Sequence, residues 1–269
     1  CDRDKLMLAG VGKIGRIGGA GSGSAAGLTG FVSVWATTVV DETITIPCQN
    51  IGTFNAVVDW GDTSPPETIT TYNGFTHVYE DIGEHTISIT GTFPNIYIVD
   101  GSEKLKIKKV LNLGTVGWTR LSGSFWGCTN LTEFTSGSTD TSAVSGMDYM
   151  FRSCSGLTSI NVSSFDTSSV SNMSFMFLAC GGLTSMVGVE DWDITGLDST
   201  GDLTNFLTGG KMTTAQYDNL LINWRAQDPF NGMTTSFGAS KYTGGGAAAT
   251  ARQDLIDIDG WSISDGGIA

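Results

Sequence analysis

From residue 31 onward the chain shows short runs in which apolar and polar positions alternate. FVSVW (31–35), TITI (43–46), FNAVVDW (54–60), THVY (76–79), HTISIT (85–90) and NIYIV (95–99) are alternating or β-rich. Turn signals separate them: Asn50 to Gly52, GDTSPP at 61–66, Asn73–Gly74 and Asp81 to Gly83. Short strands at this spacing predict an antiparallel sandwich over 31–100. EKLKIKKVLNLG follows, with Leu105, Ile107 and Val110 set among lysines. Lysines blunt sheet edges, so this run is expected to be a charged edge strand.

The pattern then changes from alternation to repetition. Phe125, Phe151 and Phe177 lie 26 residues apart, as do Cys128, Cys154 and Cys180, and Leu131, Leu157 and Leu183. Phe206–Leu207 reads as a degenerate fourth start. One such unit cannot bury its own apolar set, so the units are expected to stack Phe on Phe, Cys on Cys and Leu on Leu. Parallel strands about 4.8 Å apart would then carry a file of reduced cysteines behaving as small apolar groups. Beyond 210 the period becomes helical. TTAQYDNLLINWRAQ (213–227) places Tyr217, Leu220, Leu221 and Trp224 on one face, and Thr213 with Gln216 forms a capping-box signature. AAATARQDLIDI (247–258) is a second candidate helix, and WSISDGG a closing strand and turn. Residues 211–269 are therefore expected to form a small α/β cap over the open end of the stack.

Residues 1–30 stand apart. They are Gly-rich, too poor in apolar surface to fold alone, yet carry Leu6, Met7, Leu8, Val11, Ile14 and Ile17. Their local charge is +2 within a chain of net charge −13. Two readings stand: a flexible leader, or an arm that orders on a neighbouring subunit through Leu6, Leu8, Val11, Ile14 and Ile17. Acidity of this size argues against a nucleic-acid partner, which needs a basic face. No apolar run reaches the roughly 20 residues that span a bilayer, so membrane insertion is not expected. Residues 1–10 lack a signal-peptide core. Cys1 is read either as a start exposed by methionine trimming after cytoplasmic synthesis, the reading favoured, or as a lipid-modified first residue.

Two resemblances sharpen this outline. VVDWGDTS (57–64) and THVYEDIGEHTISITG (76–91) resemble a PKD-type immunoglobulin-like domain, on Trp60, Gly61, Asp62, His77, Tyr79 and Gly83, with Thr63 where the family more often has Gly. MFRSCSGLTSINVSSFDTSSVSNMS (150–174) and its neighbours over 125–205 resemble BspA-type leucine-rich repeats. The C-terminal pattern is similar to a module found after such repeats. The fold so implied is mainly β: an arm (1–30), an immunoglobulin-like β-sandwich (31–100), a short leucine-rich-repeat solenoid (101–210) and the cap (211–269). The resemblances occur in bacterial surface proteins and phage virion proteins, and imply spacers or binding modules.

Candidate chemistry is sparse. His77 reads as a structural hydrogen-bonding residue of the PKD-like motif, and His85 as an exposed strand start. Gly10, Gly12 and Gly15 mimic a dinucleotide fingerprint without its strand and helix. No GxSxG elbow occurs. Asp191, Asp193, Asp198 and Asp202 crowd the third unit; without a DxDxDG loop they read as solvated acids, with calcium as the alternative. No cofactor or metal is expected. Paired glycosidase carboxylates leave no sequence signature, so a glycan-active enzyme stays as a third reading. Among aromatics that could contact a ligand, Trp118, Trp126, Trp192 and Tyr242 stand out; Trp126 and Trp192 fall at repeat positions and read as core, leaving Trp118 and Tyr242 as host contacts. The expectation is a non-catalytic, homo-oligomeric adhesion or display protein on a phage virion. Residues 1–30 would meet other virion proteins, and the remainder a host glycan or protein. The alternative is a bacterial cell-surface adhesin or lipoprotein.

Overall fold

A computed structural model describes residues 29–99 and 101–269. The anchoring residues expected in the arm, Leu6 to Ile17, lie outside the described residues. The described chain is mainly β, built on one large mixed sheet. Its strands are β1 (Phe31–Thr37), β2 (Glu42–Thr45), β3 (Asn55–Asp59), β4 (Glu67–Ile69), β5 (Thr76–Tyr79), β6 (Gly83–Thr92), β7 (Ile107–Asn112), β8 (Glu133–Thr135), β9 (Ser159–Asn161) and β10 (Ser185–Val187). Eight of them form the sheet in the order β10-β9-β8-β7-β1-β6-β3-β4. From β7 to β10 the pairing is parallel and follows chain order. From β7 through β1, β6 and β3 to β4 it is antiparallel. β2 and β5 make a separate antiparallel ladder.

The sheet crosses the expected boundary at 100 without a break. β1 lies between β6 and β7, which pair with both of its edges, and its residues Phe31 to Trp35 are all buried rather than alternating, so both faces are covered. The lysine-rich run is consequently not an edge. β7 sits in the middle of the sheet, with Lys106 held by Glu42 at 3.2 Å and Glu103 at 2.8 Å, and Lys109 facing Glu133 at 3.6 Å. Carboxylates cover Lys106, whereas Lys109 and Glu133 meet on an exposed face of the sheet. NIYIV is also corrected: residues 95–99 form no strand. Ile96 and Ile98 enter the core, while Tyr97 N–H donates to Pro47 and Ile98 N–H to Ser124, two separate elements. His85, expected to be exposed, is 6% exposed because β1 and Tyr79 cover it.

Gly114 marks where the halves meet. At φ +74° a Cβ there would run into the backbone of Gly30 and Phe31, so only glycine permits this approach. Asn112, fully buried beside it, donates to Gly30 O at 2.7 Å and accepts from Ser138 N–H at 2.8 Å. The buried apolar side chains form one continuous cluster from Phe31 to Trp261.

The end of the chain contains α1 (Thr214–Arg225), β11 (Thr234–Ser236), α2 (Ala247–Asp257) and β12 (Ser262–Ser264). Thr213 and Gln216 form a reciprocal capping box. α1 buries Tyr217, Leu220, Leu221 and Trp224, with the Trp224 ring 5.9 Å from Phe206, the last phenylalanine of the repeated region. β11 and β12 pair in parallel. Among the described residues no helix is long and apolar enough to cross a membrane.

Candidate functional site

In the Trp-Gly-Asp corner, a tight turn brings one carboxylate to two elements. Asp62 accepts from Ser64 N–H at 2.8 Å and from His77 Nε2 at 2.7 Å. Burial raises the Asp62 pKa, but these bonds outweigh it and hold the carboxyl below its usual value. Gly61 adopts φ +77°, and a Cβ there would strike Thr86 O. The rings stack in series: Trp60 on His77 at 5.1 Å, His77 edge-on to Tyr79 at 4.8 Å, and Tyr79 on His85 at 3.7 Å. Tyr79 Oη donates to Trp60 O at 2.7 Å, and His85 Nε2 pairs with Thr37 Oγ1 at 2.9 Å. Burial depresses the His85 pKa, against weaker opposing effects of Asp81 and Asp62. This cluster ties β3, β5 and β6 together.

In the repeated region the nine periodic residues, Phe125, Cys128, Leu131, Phe151, Cys154, Leu157, Phe177, Cys180 and Leu183, are all fully buried. Phe125 stacks on Phe151 at 5.6 Å with 12° between planes, and Phe151 on Phe177 at 5.4 Å with 6°. Phe206 ends the column edge-on, 5.3 Å from Phe177. Cys154 Sγ donates to Phe125 O and Cys180 Sγ to Phe151 O, both at 2.9 Å. All described cysteines are free thiols. Burial pushes the Cys180 thiol up to about 12 and the Cys128 and Cys154 thiols upward too. Backbone bonds run from unit to unit: the N–H groups of Gly123, Phe125 and Gly127 donate to the carbonyls of Asp148, Met150 and Arg152.

Two surfaces of this region are open. One is the outer face of β7 to β10, a shallow groove of about 460 Å³ lined by Lys109, Glu133, Thr135, Ser159, Asn161 and Val187 among others. The other is a column of partly exposed rings: Trp126 stacks on Tyr149 at 5.2 Å with 17° between planes, and Tyr149 on Phe175 at 4.9 Å with 7°. The Arg152 guanidinium lies 4.6 Å from the Trp126 ring centre and 5.5 Å from that of Tyr149. Tyr149 and Phe175 both take φ +58°, whereas Gly123, 26 residues before Tyr149, takes φ +67° and Asn205 takes φ +53°. A left-handed aromatic costs about 1–3 kcal/mol, and a stacked ring pair returns about 0.5–1.5 kcal/mol.

The expected contact residues fare differently. Trp118 is 1% exposed and donates to Leu113 O at 3.0 Å and Gly114 O at 3.2 Å. It seals the junction beside Phe31 and Phe93 and is not a surface residue. Trp192 is buried against Phe165, as its repeat position implies. Trp126, read as core, is partly exposed, because Gly127 turns the chain so that its ring lies over Tyr149. Tyr242 is half-buried, its ring 5.1 Å from an Arg252 that Asp265 holds at 2.7 Å. Three of the four aspartates have partners within the chain: Asp202 accepts from Asp198 and Ser199 N–H and Asp193 from Thr195, inside their own loops, and Asp191 accepts from Asn223 of α1. Among the described residues no three His, Cys, Asp or Glu side chains gather to hold a metal. Tyr149, Arg152 and Phe175 escaped the sequence reading; the signal was that Tyr149 and Phe175 are aromatics 26 residues apart and that Arg152 lies 26 residues after Trp126.

Residues 96–217 match the family model described as a Mycoplasma protein of unknown function, DUF285. The match begins at the buried Ile96 and ends inside α1, so it takes in all of the 26-residue units. A search of curated proteins finds no match, and neither does a search of solved structures.

Proposed function

We propose that the protein is a non-catalytic display and attachment protein carried on a phage virion. In this reading residues 31–100 are a PKD-like sandwich, 101–210 a BspA-type leucine-rich solenoid and 211–269 its cap. The arm at 1–30 would fix the protein to other virion proteins, in a homo-oligomer. The observation that carries the reading is the unbroken sheet from β4 to β10, backed by the Phe125–Phe151–Phe177 column. A continuous sheet lets an anchored end hold a distant surface at a fixed orientation, which attachment requires and which a single packed unit would not extend. The open polar groove and the aromatic column supply surface for a host glycan or protein.

A bacterial cell-surface adhesin or lipoprotein is the second reading, favoured by the family match, whose description names a bacterium. Quantitative mass spectrometry of purified particles and of cell-envelope fractions from the same culture separates the two. Recovery in particles at fixed copy number, abolished by deleting residues 1–30, is the expected result. Recovery in the envelope fraction alone would refute display on a virion.

A further inference from the structure

We propose that the Trp126–Tyr149–Phe175 column, with Arg152 and Lys104 beside it, binds an acidic polysaccharide, a polymer whose sugar rings carry carboxylates. The proposal deepens the attachment reading and rests on it for the view that this surface meets a host. Three observations converge here. All three rings are partly exposed, and two of them, Tyr149 and Phe175, take a left-handed φ at a position that Gly123 fills in the preceding unit, as Ser153 and Ala179 do at the position of Gly127. Residues held against a conformational preference concentrate at working surfaces.

The cations give the charge of the ligand. Arg152 lies over two rings, yet its guanidinium makes no hydrogen bond or ion pair among the described residues. Lys104 is likewise without a carboxylate, and a Cβ on Gly127 would lie 3.4 Å from its Cδ. Gly127 N–H donates to Arg152 O at 2.7 Å, so the two cations flank the same pair of adjacent units. Among the described residues Lys106, Lys109, Arg225 and Arg252 each face a carboxylate, while Lys108, Arg120, Lys211 and Lys241 face none; what sets Arg152 apart is its place over the rings. In a chain of net charge −13, unpaired cations beside an aromatic strip select an anion locally while the rest repels it. A planar guanidinium with free N–H groups matches a carboxylate in two parallel bonds.

The shape of the site favours a polymer of sugars over an acidic peptide. The rings repeat at 5.2 and 4.9 Å across three units, so a chain lying along them meets one ring after another. Sugar C–H groups pack on aromatic surface, and each ring adds contact area that a single sugar could not use. A peptide would seek backbone partners, but the N–H groups of Gly123, Phe125 and Gly127 on this face already donate to the next unit.

Calorimetric titration of the full chain with polygalacturonate, polysialic acid, neutral dextran and polyglutamate tests this. Expected is saturable binding of at least one carboxylated polysaccharide, weakened by salt, with none for dextran. Arg152→Gln should lose roughly tenfold in affinity, as for one charge-assisted pair, and Lys104→Gln a smaller factor. Tyr149→Gly should lose affinity while keeping its circular dichroism, because Gly123 already fills the equivalent position. The proposal is overturned by no binding of either polymer, by unchanged affinity in Arg152→Gln and Tyr149→Gly, or by polyglutamate binding as tightly as the polysaccharides. The last result would assign an acidic protein segment. Recovery in particles is an independent readout: it can fail while these isotherms stand, and the isotherms can fail while it stands.

Discussion

In the antiparallel part of the sheet, each large side chain packs against different partners: Trp60 on His77, Tyr79 on His85, Phe93 between Phe31, Phe54, Phe75 and Trp118. In the repeated part, Phe151 packs against copies of itself on both sides. The first arrangement needs many unlike contacts to be right together. The second needs one contact that is right and is then reused. The difference shows at the surface, where one backbone position recurs at fixed intervals and carries Gly123, Tyr149 or Phe175 without disturbing the Phe and Cys columns beneath. A stack of this kind can change what it displays while keeping what holds it.

The largest effect is expected in the phenylalanine column. Phe151→Ala should lose about 3–5 kcal/mol, because the neighbouring rings are held by their own backbone ladders and cannot close the gap. Urea denaturation followed by tryptophan fluorescence measures this. A loss near 1 kcal/mol would mean that the column relaxes and is not a shared support.

The two parts should also fail at opposite ends of the pH scale. His85 has a folded pKa depressed by burial from its ordinary 6.5. The unfolded chain therefore takes up a proton more readily, and stability falls as pH drops below about 6.5, before the carboxylates titrate. The thiols of Cys128, Cys154 and Cys180 are raised from 9.0. Here the unfolded chain loses protons first, so stability present below pH 9 falls as pH rises above it. Melting temperatures across pH 5–10 test the signs. His85→Gln should flatten the acid limb and Cys154→Ala the alkaline one; an unchanged acid limb in His85→Gln would remove His85 from the account.

A smaller effect sharpens the contrast. Tyr79→Phe removes the bond to Trp60 O and should cost about 1–2 kcal/mol, since no second copy of that bond exists elsewhere. Equilibrium unfolding of the variant gives the value, and a change within error would show that ring packing alone holds the Trp-Gly-Asp corner.

Legibility in the sequence follows the same division. The 26-residue spacing places Phe, Cys and Leu because identical residues recur where identical environments recur. The capping box at Thr213 and the helix it starts are local signals, and the structure forms both. What escaped depends on distant partners. The lysines around Ile107 look like edge protection until Glu42 and Glu133 arrive from other elements to join the neighbouring Glu103. NIYIV alternates like a strand, yet its backbone partners are Pro47 and Ser124. Trp118 looked free for contact because nothing nearby in the chain covers it; Phe31 and Phe93 do so in space. The aromatic column was hidden for a different reason. Its backbone position repeats, but Gly123 lacks the ring that Tyr149 and Phe175 carry, Trp126 comes from a different position of the unit, and a left-handed φ leaves no trace in the letters.

The central claim is that successive units are bound by like side chains stacked on one another, and a double-mutant cycle on Phe151 and Phe177 tests it most directly. With Phe151→Leu, Phe177→Leu and the double variant, the two losses should couple by about 0.5–1.5 kcal/mol, as for ring pairs in contact. Losses that add to within about 0.3 kcal/mol would mean independent sites, and the column would not be what holds the units together.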